Sequence, residues 1–346
     1  MGKAAIYNPY LDTLGGGEKY TLSFAKVLAE DLGFDVDIEW KDTNIREKLT
    51  NRFGFKLPQN INFIKSVNRG EGYDLIFWVS DGSIPTLRSR NNYIHFQVPF
   101  KDVNGRSLLN KMKLFRVKNI ICNSEFTKKV IDKEFGVESV VLYPPIDTKL
   151  FRPKRKENTI CYVGRFSALI QNKGQEILIE AFKKLVEDKI FKDWKLVLAG
   201  GVEVGVGEGV KRLNKQIKNY NIEIVESPDF DSILNIYGKS KIFWSATGFG
   251  IDENKNPEKV EHFGITLVES MSSGCVPIVF KAGGFKEIID DGKSGFLWEN
   301  KSELIRLTKK LVKEKGLMKE ISGNSLNCSK DYDYEEFKKQ TIKILS

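Results

Sequence analysis

No stretch of the sequence approaches 18 uninterrupted apolar residues, so a membrane-spanning helix is not expected. The opening MGKAAIYNPYLDTLGGGE lacks the basic-then-apolar signature of a signal peptide, and Ile6 stands where a myristoylated chain carries Ser or Thr. Cys122, Cys161, Cys275 and Cys328 are scattered with no C-x-x-C spacing. They read as core thiols of a reducing cytoplasm, with neither zinc nor disulfides expected. No recognisable nucleic-acid motif accompanies the net charge of +9, and the 55 basic residues are spread throughout the chain. That dispersion suits anionic small molecules or an anionic membrane surface better than a nucleic acid, and it also suits solubility alone. There is no short internal repeat either.

What the chain has is room and rhythm. Its 346 residues, 41% of them hydrophobic, suffice for two domains with separate cores. Strand-like runs alternate with helix-like runs throughout, the pattern of parallel βαβ units. In the first half the expected strands are 3–7, 34–39, 74–79, 92–96, 119–122 and 139–143. A glycine triplet precedes a helix expected from Glu18 with Tyr20, Phe24, Val27, Leu28 and Leu32 on one face. The proline- and charge-rich PPIDTKLFRPKRKEN (144–158) reads as a linker, dividing the chain into domains of residues 1–150 and 151–330. The second domain repeats the rhythm, with strands expected at 159–164, 195–201, 222–225, 242–246 and 276–280 and a helix at 174–188. Two successive α/β domains of this kind put the expected active site in the cleft between them, beyond the carboxyl ends of the strands.

Candidate chemistry sits at those strand ends. Gly15, Gly16 and Gly17 follow the first strand; they serve either close approach of a ligand or merely a tight turn. This is not G-x-G-x-x-G. His95, one of two histidines, ends the strand in NYIHFQVPF and is expected to point into the cleft, although a lone histidine also serves as a satisfied core residue. Arg165 and Lys173 bracket the loop GRFSALIQNKG; together they would grip a pyrophosphate and receive charge on a departing diphosphate, or simply be solvated cations. In EHFGITLVE, Gly264 argues for a break, with Glu261 in a loop, a helix starting near Ile265 and Glu269 in its second turn. Paired carboxylates accept hydrogen bonds from vicinal hydroxyls such as those of sugars and riboses, and the backbone N–H groups of Phe263, Gly264 and Ile265 would face the same ligand. A metal pair is disfavoured, since no further ligand of suitable spacing lies nearby.

The E-x7-E block with Phe-Gly inside resembles the retaining family-4 glycosyltransferases of the GT-B fold, two Rossmann-like domains facing each other across a cleft. G-G-G-E (15–18), Y-I-H-F-Q-V-P, N-S-E-F-T (123–127), Y-P-P-I-D (143–147), G-R-F…K-G and D-G-x-x-G-F-L (291–297) follow in that family's order. The wording is similar to lipid-linked-oligosaccharide α-mannosyltransferases and bacterial relatives. The resemblance implies that Glu269 holds the donor ribose and Glu261 the transferred sugar, near the amides of Phe263, Gly264 and Ile265. It further implies that Arg165 and Lys173 grip the pyrophosphate, His95 contacts the sugar, and Gly16 and Gly17 admit donor and acceptor. Residues 331–346 would form a last helix crossing back to the first domain. Two departures stand out: seven residues separate Arg165 from Lys173, and TGFGIDENKNPEKV (247–260) is longer than the family's minimum.

The expected function is therefore metal-independent, retaining transfer of a hexose from a nucleoside diphosphate sugar to a hydroxyl of a glycan or lipid-linked acceptor. No cofactor is expected beyond the nucleotide-sugar substrate, with GDP-mannose the guess from wording. The rivals are a non-catalytic nucleotide- or glycan-binding protein of the same fold, a nucleotide-sugar epimerase, and a metal-dependent transferase using a D-x-D pair. That last string occurs three times, at 35–37, 229–231 and 331–333, and so means little. Finally, residues 101–118 (KDVNGRSLLNKMKLFRVK) carry six cations against one carboxylate, a net +5, with Leu108, Leu109, Met112 and Phe115 on one helical face. Two readings stand for them: a peripheral docking surface for an anionic membrane, or a surface helix packed on its domain.

Overall fold

The computed structural model describes residues 2–13, 15–42, 44–54, 56–166, 173–202 and 207–346. The chain divides into two compact units: Met1–Pro145 with Tyr334–Ser346, and Ile146–Asp333.

Unit 1 is built on seven parallel strands: β1 (Lys3–Tyr7), β2 (Asp35–Glu39), β3 (Ile61–Ile64), β4 (Leu75–Val79), β5 (Asn91–Phe96), β6 (Val117–Cys122) and β7 (Val140–Val141). Their spatial order is β3-β2-β1-β4-β5-β6-β7. Helices α1 (Gly16–Lys26), α2 (Ile45–Phe53), α3 (Leu108–Leu114) and α4 (Glu125–Phe135) connect them. The strands are apolar on both sides because both faces are covered. On one face, Tyr20, Phe24 and Leu28 pack with Phe77 and Ile121; on the other, Ile76, Ile94 and Phe96 pack with Ile131 and Phe135. The first face also receives Phe337, so the chain's final helix completes this core.

Unit 2 has six parallel strands: β8 (Glu157–Val163), β9 (Lys195–Gly200), β10 (Ile222–Glu226), β11 (Ser240–Ser245), β12 (Val276–Phe280) and β13 (Phe296–Trp298), in the order β10-β9-β8-β11-β12-β13. Its helices are α5 (Gln175–Leu185), α6 (Gly207–Gln216), α7 (Phe230–Lys239), α8 (Ile265–Ser272), α9 (Phe285–Ile288), α10 (Lys301–Lys313) and α11 (Lys315–Ser329); α12 (Tyr334–Leu345) is the one that joins unit 1. Numbered within each unit, both sheets contain the order 3-2-1-4-5-6, the doubly wound arrangement whose ligand crevice lies where the order reverses. That places the switch point between β1 and β4 in unit 1 and between β8 and β11 in unit 2.

The expected linker is not an open tether. Ile146 and Phe151 are fully buried, and the Lys156 ammonium donates to the carbonyls of Ser240 (2.7 Å) and Ser273 (2.6 Å). Charge and proline content suggested exposure; a lysine that satisfies backbone carbonyls at the start of the sheet reverses that.

Candidate active site

At the unit 2 switch point β8 and β11 lie side by side and parallel. β8 runs out at Val163 into Gly164 and Arg165, and β11 runs out at Ser245 into the segment leading to Glu261. Lys173 and Gly174 immediately precede α5, and a side chain at 174 would press on Ala246, just past the end of β11. The Lys173 ammonium consequently meets the Glu261 carboxylate at 3.0 Å, with the two side chains only 13% and 20% exposed. Burial raises the Glu261 carboxyl, but the Lys173 ammonium, aided by His262 and Arg165, outweighs it and leaves the group below its ordinary value. Arg165 is exposed beside them. The loop 164–174 that was expected to grip phosphate is partly seen: residues 167–172 lie outside the described residues.

The floor of this site is a set of buried hydroxyls that sequence reasoning missed. Tyr162 is 2% exposed; burial raises its hydroxyl, the Glu261 charge adds to this, and a hydrogen bond with Thr247 acts the other way. Ser245 in turn donates to the Thr247 hydroxyl at 3.2 Å.

Glu261 and Glu269 are separated by the expected break. Gly264 has φ +116°, and a Cβ there would lie 2.8 Å from the Phe285 ring, so the turn into α8 requires glycine on both counts. Phe263 is buried with its ring against Tyr332, while the chain through Phe263, Gly264 and Ile265 leads into the amino end of α8, the positive end of its dipole. Glu269 lies in the second turn and accepts a hydrogen bond from the buried Tyr237 hydroxyl at 3.4 Å. The Gly283-Gly284 pair after β12 packs on the Glu261 backbone: the Gly284 N–H donates to the Glu261 carbonyl at 2.8 Å. The long segment before Glu261 is anchored there too, since the Glu253 carboxylate accepts the Gly283 N–H at 2.7 Å and pairs with Lys286. Only the double glycine offered a sequence signal for this; the Glu253 and Tyr237 contacts offered none.

Two expectations in unit 1 are corrected. Gly16 and Gly17 are not a turn before the helix but its first residues; the Glu18 carboxylate accepts the Gly15 N–H at 2.6 Å and so starts α1 earlier than expected. His95 does not point outward to meet a sugar. Its ring is fully buried, stacked on Tyr20 (4.2 Å) and near Phe77 (5.2 Å). Nδ1 lies 3.0 Å from the Ile121 carbonyl, which can only accept, so the ring proton sits on Nδ1. Desolvation drives the imidazole down to about 3, and it is neutral at ordinary pH.

Comparison with known proteins gives a family and a fold. The family model described as Glycosyl transferases group 1 matches residues 147–327. An uncharacterized glycosyltransferase of Methanocaldococcus jannaschii is 26% identical over 226 residues, covering 63% of this chain and 56% of that protein. The GDP-Man:Man(3)GlcNAc(2)-PP-Dol alpha-1,2-mannosyltransferase of Dictyostelium discoideum is 24% identical over 226 residues, covering 62% of this chain and 43% of that one. The chain thus spans about half the length of these curated relatives. Among solved structures, Anabaena HepE in complex with UDP and glucose superposes with a TM-score of 0.78 at 19% identity, covering 100% of this chain and 99% of that one. The fold is GT-B, with two Rossmann-like units.

Proposed function

This chain belongs to the group 1 glycosyl transferases, and from that premise we propose that it moves a hexose from a nucleoside diphosphate sugar to a hydroxyl of a glycan or lipid-linked acceptor. The observation that carries the reading is the Lys173–Glu261 pair, with Arg165 beside it, at the switch point of unit 2. A diphosphate leaving group needs cations where its charge develops, and a sugar needs carboxylates to orient its hydroxyls. Donor binding would draw Lys173 toward phosphate and release Glu261 to the sugar, while Glu269 holds the ribose. The amides of Phe263, Gly264 and Ile265 add their positive ends. Following the family-4 resemblance, the transfer is of the retaining type: the acceptor hydroxyl attacks the face that the diphosphate leaves, and a phosphate oxygen takes its proton. Arg165 and Lys173 supply the charge neutralisation, so no divalent metal is required. No substrate contact is proposed for the buried His95 ring. Kinship with mannosyltransferases supports mannose as the sugar and GDP as the carrier. A peripheral position on an anionic membrane, through residues 101–118, would bring lipid-linked acceptors within reach.

Thermal shift against GDP, UDP, ADP and their sugars tests the donor, since a ligand at 100 times its Kd adds about 2.7 kcal/mol of stability. The expected result is a shift with GDP and GDP-mannose, chelator-insensitive turnover and a product with the donor's anomeric configuration. Absence of any nucleotide-dependent shift would remove the donor site.

A further inference from the structure

Helix α3 buries none of its residues. Leu108 is 76% exposed, Leu109 61%, Met112 66% and Phe115 93%. At about 100° per residue these four span an arc of roughly 120°, with Lys111 on one flank and Lys113 on the other. An apolar stripe this exposed on a soluble scaffold marks a surface that something covers.

The stripe is held rigidly. The Glu134 carboxylate accepts the N–H groups of Asp102, Val103 and Gly105, each at 3.1 Å, across a loop in which Asp102 and Asn104 take left-handed φ values of +58° and +56°. Ser107 caps the helix by accepting the Asn110 N–H at 3.3 Å. Arg106 donates to the Lys133 carbonyl at 2.8 Å and Lys113 to the Ile84 carbonyl at 2.7 Å, tying both ends to the domain. Such a loop would meet its partner already ordered, with little entropy left to lose.

We propose that Leu108, Leu109, Met112 and Phe115 form a preformed wedge that inserts into an anionic phospholipid leaflet, with Lys111 and Arg116 lying against the headgroup phosphates. The inference rests on the membrane part of the reading above and adds its mode, apolar insertion on a rigid loop. Charge selects the occupant. The segment's net +5 complements an anionic leaflet, whereas a second copy of the chain would bring +5 against +5.

The test is sedimentation of the full chain with vesicles of phosphatidylcholine, with and without phosphatidylglycerol, at low salt and at roughly 1 M salt, where screening shortens to about 3 Å. Wild type should bind the anionic vesicles and retain part of that binding in high salt. Leu108→Ser with Phe115→Ser should weaken it at least about tenfold at low salt, with thermal unfolding unchanged. Glu134→Ala, which frees the loop but keeps the stripe, should weaken it a few-fold. Binding that ignores the serine changes and vanishes in high salt would overturn the wedge while leaving a purely electrostatic peripheral contact. Failure of wild type to bind either vesicle overturns wedge and membrane reading together. A concentration-dependent dimer that the serine changes abolish, with no vesicle binding, would make a second copy the occupant.

Discussion

The two units share a strand order and differ at the place where that order reverses. At the unit 1 switch point the Asn8 amide donates to the Thr21 hydroxyl at 2.9 Å, Gln97 donates to the Gly17 carbonyl at 3.1 Å, the buried Glu18 carboxylate accepts the Gly15 N–H at 2.6 Å, and His95 stays an uncharged ring within the core. Unit 2 puts a nearly buried ion pair there, with Arg165 alongside and a floor of hydroxyls beneath. One sheet end thus turns its polar side chains on its own loop and helix, while the other sets an ammonium against a carboxylate with a guanidinium alongside. The same architecture therefore leaves the chemistry to a few side chains, and the charged switch point is where we propose that a phosphorylated leaving group is received.

Breaking the ion pair should produce the largest effect. Lys173→Met leaves the Glu261 carboxylate mostly buried without the cation that holds its proton affinity down. We expect a loss of about 3 kcal/mol of stability by urea unfolding and a fall in kcat of about 100-fold or more, as for loss of one transition-state charge partner. Lys173→Met with Glu261→Gln should recover part of the stability and none of the turnover. If the double variant is no more stable than the single one, the pair is not coupled and the contrast between the units loses its basis.

Much of the fold was legible because parallel strands buried on both faces leave apolar runs that need no partner to be recognised. The runs that escaped were INFI and FLW, now β3 and β13, whose 4 and 3 residues are too few to stand out from their surroundings. Gly264 announced its turn because a glycine between two otherwise helical stretches has a conformational reason to be there. His95 shows where sequence stops: a residue near the end of a doubly buried strand can face either layer, and the stack with Tyr20, 75 positions away, decides it. The Lys173–Glu261 pair spans 88 positions and the Glu253–Gly283 contact 30, with no periodicity to reveal either.

A second effect isolates unit 1. His95 has a folded-state value of about 3 against an ordinary 6.5, because burial opposes its charge. Between those values the unfolded chain binds a proton that the folded chain does not, so the stability is fully present above 6.5 and declines as the pH falls. The loss is about 1.4 kcal/mol per pH unit, or roughly 2 kcal/mol by pH 5. Glu261, held below its ordinary 4.5, contributes stability that is lost only at lower pH, as the medium falls through and below that value. His95→Phe keeps a ring against Tyr20 and should remove the extra slope between pH 7.5 and 5 measured by urea unfolding. Identical slopes in variant and wild type would mean that the histidine is not held neutral.

The smallest effect separates a buried group that serves packing from one that serves the site. Tyr237 is fully buried, its ring edges against Phe151 and its hydroxyl reaches Glu269 at 3.4 Å. Tyr237→Phe keeps the ring and removes only a long hydrogen bond, so the cost should be about 1 kcal/mol or less. If the hydroxyl merely fills space, that cost falls on stability and the kinetics stay as they were. If it fixes the carboxylate that would hold the donor ribose, the KM for the nucleotide sugar should rise a few-fold with kcat unchanged, because uniform binding is lost and the reacting centre is untouched. His95→Phe in unit 1 should show no such split at neutral pH. A matching KM rise in both variants would mean that both switch points act on donor binding, and the division of labour between the units would fail.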